Sequence, residues 1–183
     1  DLDGNRVLPS FMASWGTYWG CANNPDFRLV WLAHAKQQID AGADRIQNDG
    51  PRLSEGGMRS WGGCYCDHCT EGFRGFLADH VPAEKMAALG INDVRVFDYA
   101  AVLRAASAHP EEHPQAVLLR LRDLFDDFQQ ESVLAFYRDV HRQLETHAGR
   151  DVPFSCNNTE GFRLYLHKVH DFGLFEAYPN REG

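Results

Sequence analysis

Short apolar runs, each stopped by Gly, Pro or Asn, alternate along this chain with longer segments whose apolar residues recur every three to four positions. The runs predict buried strands and the longer segments predict helices. RVLPSFM (6–12) lies between Asp-Gly-Asn and Ser-Trp-Gly and reads as a first strand. NNPDFRLVWLAHAKQQIDAG (23–42) carries an Asn cap, an N-terminal Pro, apolar residues at Phe27, Val30, Trp31, Ala35 and Ile39, and a closing Gly42, so it reads as a helix. ADRIQND (43–49) is a second strand, broken by Gly50-Pro51, and a long loop follows to residue 66. DHCTEGFRGFLADHV (67–81) is a helix, and PAEKMAALG and DVRVFDYAAVLRAA form a helical insertion over about 82–114. Residues 114–149 read as one long helix or a split pair, 152–158 as a third strand, 159–172 as helical, and GLFEAYPN (173–180) as a last strand.

Strand, helix, strand, loop and helices, strand, helix, strand is the order of a parallel sheet with crossover helices, an α/β fold. The 183 residues suit a single domain, 1–183. Four strands do not close an eight-stranded barrel, which takes about 250 residues. Part of a (β/α)8 barrel and a small open sheet both remain.

Composition narrows the partners. A formal charge of −8 disfavours nucleic acid, and 44% hydrophobic with 12% aromatic residues argues against disorder. No stretch has the length of a membrane span, and no signal peptide is visible, so the expected location is the cytoplasm, with no membrane partner. A chain that begins at Asp1 reads equally as an excised piece, and a partial sheet with open edges predicts self-association, a homo-oligomer.

GCYCDHC (63–69) changes the picture further, because it holds three of the five cysteines. Neighbouring thiols in a C-x-C-x2-C cluster are poorly placed to bridge one another, whereas a tight turn converges them on a metal. Cys64, Cys66 and Cys69 supply three ligands of a structural zinc. Cys21, His68 and Cys156 are candidates for the fourth. Cys21 is preferred, since its Gly- and Asn-rich loop is free to reach across, giving a zinc loop over 50–69.

Polar residues gather at the C-terminal ends of the proposed strands, the edge that carries the site in either α/β architecture. Ser14, Trp15 and Trp19 follow the first strand, Asn48-Asp49 end the second, Asn157-Asn158 the third, and Glu176-Ala177-Tyr178 the fourth. Asp49 and Glu176 facing one cleft would equip it for glycoside cleavage, one carboxyl protonating the leaving oxygen and the other attacking the sugar or activating water. Trp15, Trp19, Asn48, Asn157, Asn158 and Tyr178 would bind the carbohydrate. The competing role for Asp49 is structural, as an ion-pair partner of Arg45, Arg52 or Arg163.

CYCDHCTEGFRGFL resembles the cysteine cluster of the glycoside hydrolase family 42 β-galactosidases. DLFDDFQQESVLAFYRDVHRQL, VPFSCNN and FGLFEAYPN are similar to that family's next long helix and two strands. The resemblance implies a (β/α)8 barrel, of which this chain spans roughly strands three to six, and a four-cysteine structural zinc completed by an upstream cysteine. It also implies hydrolysis of O-glycosidic bonds, or a non-catalytic carbohydrate-binding or structural derivative of the barrel. The family carries Asn-Glu at the end of strand four, with Glu as acid/base, where this chain has Asn48-Asp49. Its nucleophile lies on a seventh strand, beyond this chain. In other retaining sugar-hydrolase barrels, Asp at strand four is the nucleophile and an acid at strand six protonates the leaving group, a scheme that Asp49 and Glu176 match.

Overall fold

A computed structural model describes residues 1–50, 52–157 and 161–173. Among these the chain is mostly helical. The helices are α1 (Pro25–Asp40), α2 (Leu53–Trp61), α3 (Asp67–His80), α4 (Ala83–Ala88), α5 (Tyr99–Ala108) and α6 (Gln115–Ala148). Two strands, β1 (Ile46–Asn48) and β2 (Phe154–Cys156), pair in parallel, with Ile46 opposite Phe154 and Asn48 opposite Cys156.

This corrects the α/β expectation: the described residues form a helical assembly around one two-stranded parallel sheet, not strands three to six of a (β/α)8 barrel. The expected first strand does not form. Pro9 lacks the N–H that a strand interior needs, and with φ −58° and ψ 141° it leads instead into a 3₁₀ turn, Ser10–Trp15. A backbone bond from Trp19 N–H to the Val7 carbonyl (2.9 Å) joins this region to the next loop. The expected last strand, 173–180, lies outside the described residues from 174 onward.

The helices follow local signals more closely. Asn24 caps α1, its Oδ1 accepting from the N–H groups of Asp26 (2.8 Å) and Phe27 (3.1 Å), with Pro25 in the first turn. The long segment is one unbroken helix of 34 residues, stopped by Gly149 at φ 64°. Between α3 and α6 lie α4, α5 and 3₁₀ turns at Val94–Val96 and Pro110–Glu112. Residues Gly161–Val169 are helical too, but as 3₁₀.

α6 organises the interior because it presents two apolar stretches in sequence. Leu121, Leu124, Phe125 and Phe128 pack with Phe73 and Leu77 of α3 and with Tyr99. Val133, Phe136, Tyr137, Val140 and Leu144 pack with α1 and with both strands, through Leu32, Ala35, Ile46 and Phe154. Trp31 meets Phe136 edge-on at 5.4 Å between ring centroids, and Phe73 meets Phe125 likewise at 5.0 Å.

α2 occupies what reads in the sequence as a loop. Its LSEGG start has poor helix propensity, so packing is what orders it. Leu53 enters with φ 43°, a left-handed value rare for a residue with a Cβ. The Trp19 indole N–H donates to the Leu53 carbonyl and steadies that turn. The indole lies directly over Gly56 and Gly57, where an added Cβ would come within 3.1 and 3.0 Å of the ring.

Candidate functional site

The four-cysteine cluster forms where three segments converge: the loop before α1, the turn after α2, and the start of α3. Cys66 is the residue preceding α3, and Cys69 sits in its first turn, so both lie at a helix end whose N–H groups favour negative charge. The sulfurs of Cys21, Cys64, Cys66 and Cys69 all lie within 4.8 Å of one another. Cys21 is 3.7 Å from Cys66 and 3.5 Å from Cys69, and Cys64 is 3.4 Å from Cys66. Four thiolates held at about 2.3 Å by one ion in a tetrahedron are spaced by about 3.8 Å. The cluster is thus near the size a tetrahedral metal requires.

All five cysteines are unbridged thiols. Among the three candidates for the fourth position the fold brings in Cys21. His68 is exposed on α3, and Cys156 is buried at the end of β2 in the other core. Asn23 Nδ2 donates to the Cys69 sulfur (3.4 Å), a neutral hydrogen bond of the kind that steadies a thiolate. Hydrogen bonding from Cys21, and then from Cys64 and Cys69, holds the Cys66 thiol well below its ordinary value. Hydrogen bonding with Cys64, Cys66 and Cys69, together with burial, pushes Cys21 up. Packed thiols without a cation compete for protons in this way, and a divalent metal resolves the competition by taking all four as thiolates. The donor set therefore fits a structural metal.

A second polar group forms at the C-terminal ends of the paired strands. Parallel register puts Asn48 opposite Cys156, which brings the next residues, Asp49 and Asn157, side by side. Asn157 N–H donates to the Asn48 carbonyl (3.0 Å), and Asn157 Nδ2 approaches Asp49 Oδ1 at 3.4 Å. Asp49 is exposed, and the same oxygen accepts from the Gly50 N–H at 2.8 Å. Asn48 Nδ2 donates to the hydroxyl oxygen of Tyr137 at 2.6 Å. Burial pushes the Tyr137 phenol well above its ordinary value, so it remains a neutral hydroxyl.

Asn48, Asp49 and Asn157 thus lie together at the strand ends. Glu176, Asn158 and Tyr178 lie outside the described residues. Trp15 is 70% exposed on the 3₁₀ turn, whereas Trp19 is half-buried against α2, and its ring also reaches the backbone at Gly50. Of the arginines that could have paired with Asp49, Arg52 is directed to Glu55, with Nε–Oε2 at 2.7 Å, and Arg45 lies 5.8 Å over the Phe172 ring.

Sequence reasoning passed over the fully buried Glu55 and offered its partner Arg52 to Asp49 instead, although Arg-x-x-Glu at helical spacing signals such a pair. Tyr165 OH donates to Glu55 Oε2 at 3.4 Å, tying the 3₁₀ segment to α2. A second contact also went unseen, Cys156 Sγ to His170 Nδ1 at 3.3 Å, because no local spacing links residues on separate elements. Burial lowers the His170 imidazole to about 4.

No family model matches the chain, and no solved structure matches it. Over 113 residues it is 30% identical to an α-agarase of Alteromonas agarilytica and 31% identical to an α-agarase of Thalassotalea agarivorans. Each match covers 57% of this chain and 8% of the relative. The kinship supported is a distant one to glycoside hydrolases, over part of the chain, and not one to family 42 in particular. Among the described residues no helix is long and apolar enough to cross a membrane.

Proposed function

We propose that this chain takes part in hydrolysing the O-glycosidic bonds of a galactan, agarose being the first substrate to try, and that its four cysteines hold a structural zinc. The observation that carries the reading is the exposed Asp49 carboxylate at the C-terminal edge of the parallel pair, flanked by Asn48 and Asn157. The similarity to α-agarases supports the substrate class. Zinc is favoured over other metals because four thiolates at tetrahedral spacing suit it.

In this reading Asp49 supplies the carboxylate that attacks the anomeric carbon or activates water. The neighbouring amides align it and hydrogen-bond sugar hydroxyls. A second acid protonates the leaving oxygen, and Glu176 is the candidate. A separation of about 5–5.5 Å from Asp49 goes with retention and about 6.5–9.5 Å with inversion. The zinc takes no part in the chemistry and fastens the loop before α1 to the start of α3.

The test is Asp49→Asn in the full chain, which keeps the shape of the side chain while removing proton transfer and nucleophilicity. Release of reducing ends from agarose should fall about 10²-fold or more. Wild-type turnover would refute a catalytic role for Asp49. A second reading, a non-catalytic carbohydrate-binding derivative, draws on the way the Asp49 carboxylate is engaged by Gly50 and Asn157 of its own strand ends. It predicts saccharide binding without turnover.

A further inference from the structure

The cysteine cluster is also the wall of a cleft. A cavity of about 420 Å³ lies between the segment around Arg6, the loop from Tyr18 to Asn24 and the turn from Gly63 to Cys66. Cys21, Cys64 and Cys66 line it, so three of the four candidate metal ligands stand in its wall. The volume falls within the roughly 300–1,000 Å³ of small-molecule sites.

The lining selects a ligand class. Tyr18, Trp19 and Tyr65 supply aromatic surface, and Tyr18 is 48% exposed, which leaves its ring accessible. The Arg6 guanidinium lies 5.2 Å over the Tyr18 ring, which fixes that ring and places several N–H donors beside it. Asn24 spends its Oδ1 on capping α1, so its amide N–H pair is what it has left to offer at the cleft. Aromatic surface beside neutral and cationic donors suits a ring with apolar C–H faces and hydroxyl or ether oxygens at its rim. Trp19 joins this cleft to the strand ends, because its ring lies in the wall and also against the backbone at Gly50, next to Asp49.

We propose that this cleft is a saccharide subsite, taking a mono- or disaccharide unit of a neutral galactan, and that the cysteine-bound metal holds its shape. The proposal rests on the hydrolase reading for its substrate class and adds the place and the residues of binding. Coupling to the metal follows from the wall: without thiolate–metal bonds the turn bearing Cys64, Tyr65 and Cys66 is no longer fastened to the loop bearing Tyr18 and Cys21. A saccharide then meets separated surfaces and must order them on binding, which weakens affinity.

The experiment is isothermal titration of the zinc-loaded protein with an agarose-derived disaccharide. Tyr18→Ala and Arg6→Ala change partly exposed side chains and leave the helical cores intact, which circular dichroism verifies. Each should weaken binding at least 10-fold with zinc content unchanged, and stripping the metal with a chelator should weaken it by a similar factor. Disaccharide affinity unchanged in both variants, or no measurable binding to the zinc-loaded protein, overturns the subsite. Unchanged affinity after chelation overturns the coupling to the metal. Agarose cleavage that persists without cleft binding removes the subsite and leaves the hydrolase reading. Cleft binding in a protein that never cleaves agarose removes the hydrolase reading and leaves the subsite.

Discussion

Replacing Cys21 by Ser tests what the proposed zinc would do for the fold. Cys64, Cys66 and Cys69 belong to one tight turn, so they can keep an ion in the unfolded chain. Cys21 is different, because it lies 48 residues from Cys69 and its attachment closes a long loop. Cross-linking a chain over that span removes denatured-state entropy of about 2.1 + 1.5R ln n cal/mol/K, which at 25 °C is about 4 kcal/mol. Chains of this size change their melting temperature by about 2–4 °C per kcal/mol. Thermal unfolding followed by circular dichroism, with zinc in excess, should therefore show Cys21→Ser melting roughly 8–16 °C below the wild type. Metal analysis should still find zinc on the remaining three thiols, bound more weakly. Cys156→Ser is the control: it lies outside the cluster, and its zinc content should match the wild type. A Cys21→Ser protein that melts within about 3 °C of the wild type would show that residue 21 closes no loop in solution, and the argument for a four-thiolate staple would fail.

Gly57→Ala should destabilise the chain by about 1–3 kcal/mol, because the new methyl would come within 2.6 Å of the Gly63 carbonyl oxygen, part of the turn that leads into Cys64; urea unfolding measures it. His170 gives a pH signature. Its folded value, about 4, lies below the unfolded 6.5, so between these values the unfolded chain binds more protons. Stability should be fully present above about pH 6.5 and fall as the pH drops toward 4. His170→Gln should flatten that slope in denaturant titrations, and an unchanged slope would assign the acid sensitivity to other groups.

What the sequence determined by itself is whatever depends on near neighbours. The cysteine motif is legible because ligands two and three residues apart converge in any tight turn, and Cys64, Cys66 and Cys69 do so here. The Asn24 cap, the Gly149 stop and the apolar stripe of α6 act within a few residues of backbone, so the helices they bound were readable. Strand count was not readable, since a strand exists only with a partner, and residues 6–12 have the apolar content of one without a ladder to join. α2 was invisible for the converse reason: its two glycines weaken the helix locally, but they admit the Trp19 ring, which only the folded chain brings there. Tertiary structure also chose Cys21 over His68 and Cys156, buried Glu55 against Arg52, and set Asp49 beside Asn157 across a parallel register. Each of these joins a group to a distant segment or to a buried environment. Their energies depend on the surroundings that folding builds from separate segments, which no window of local sequence contains.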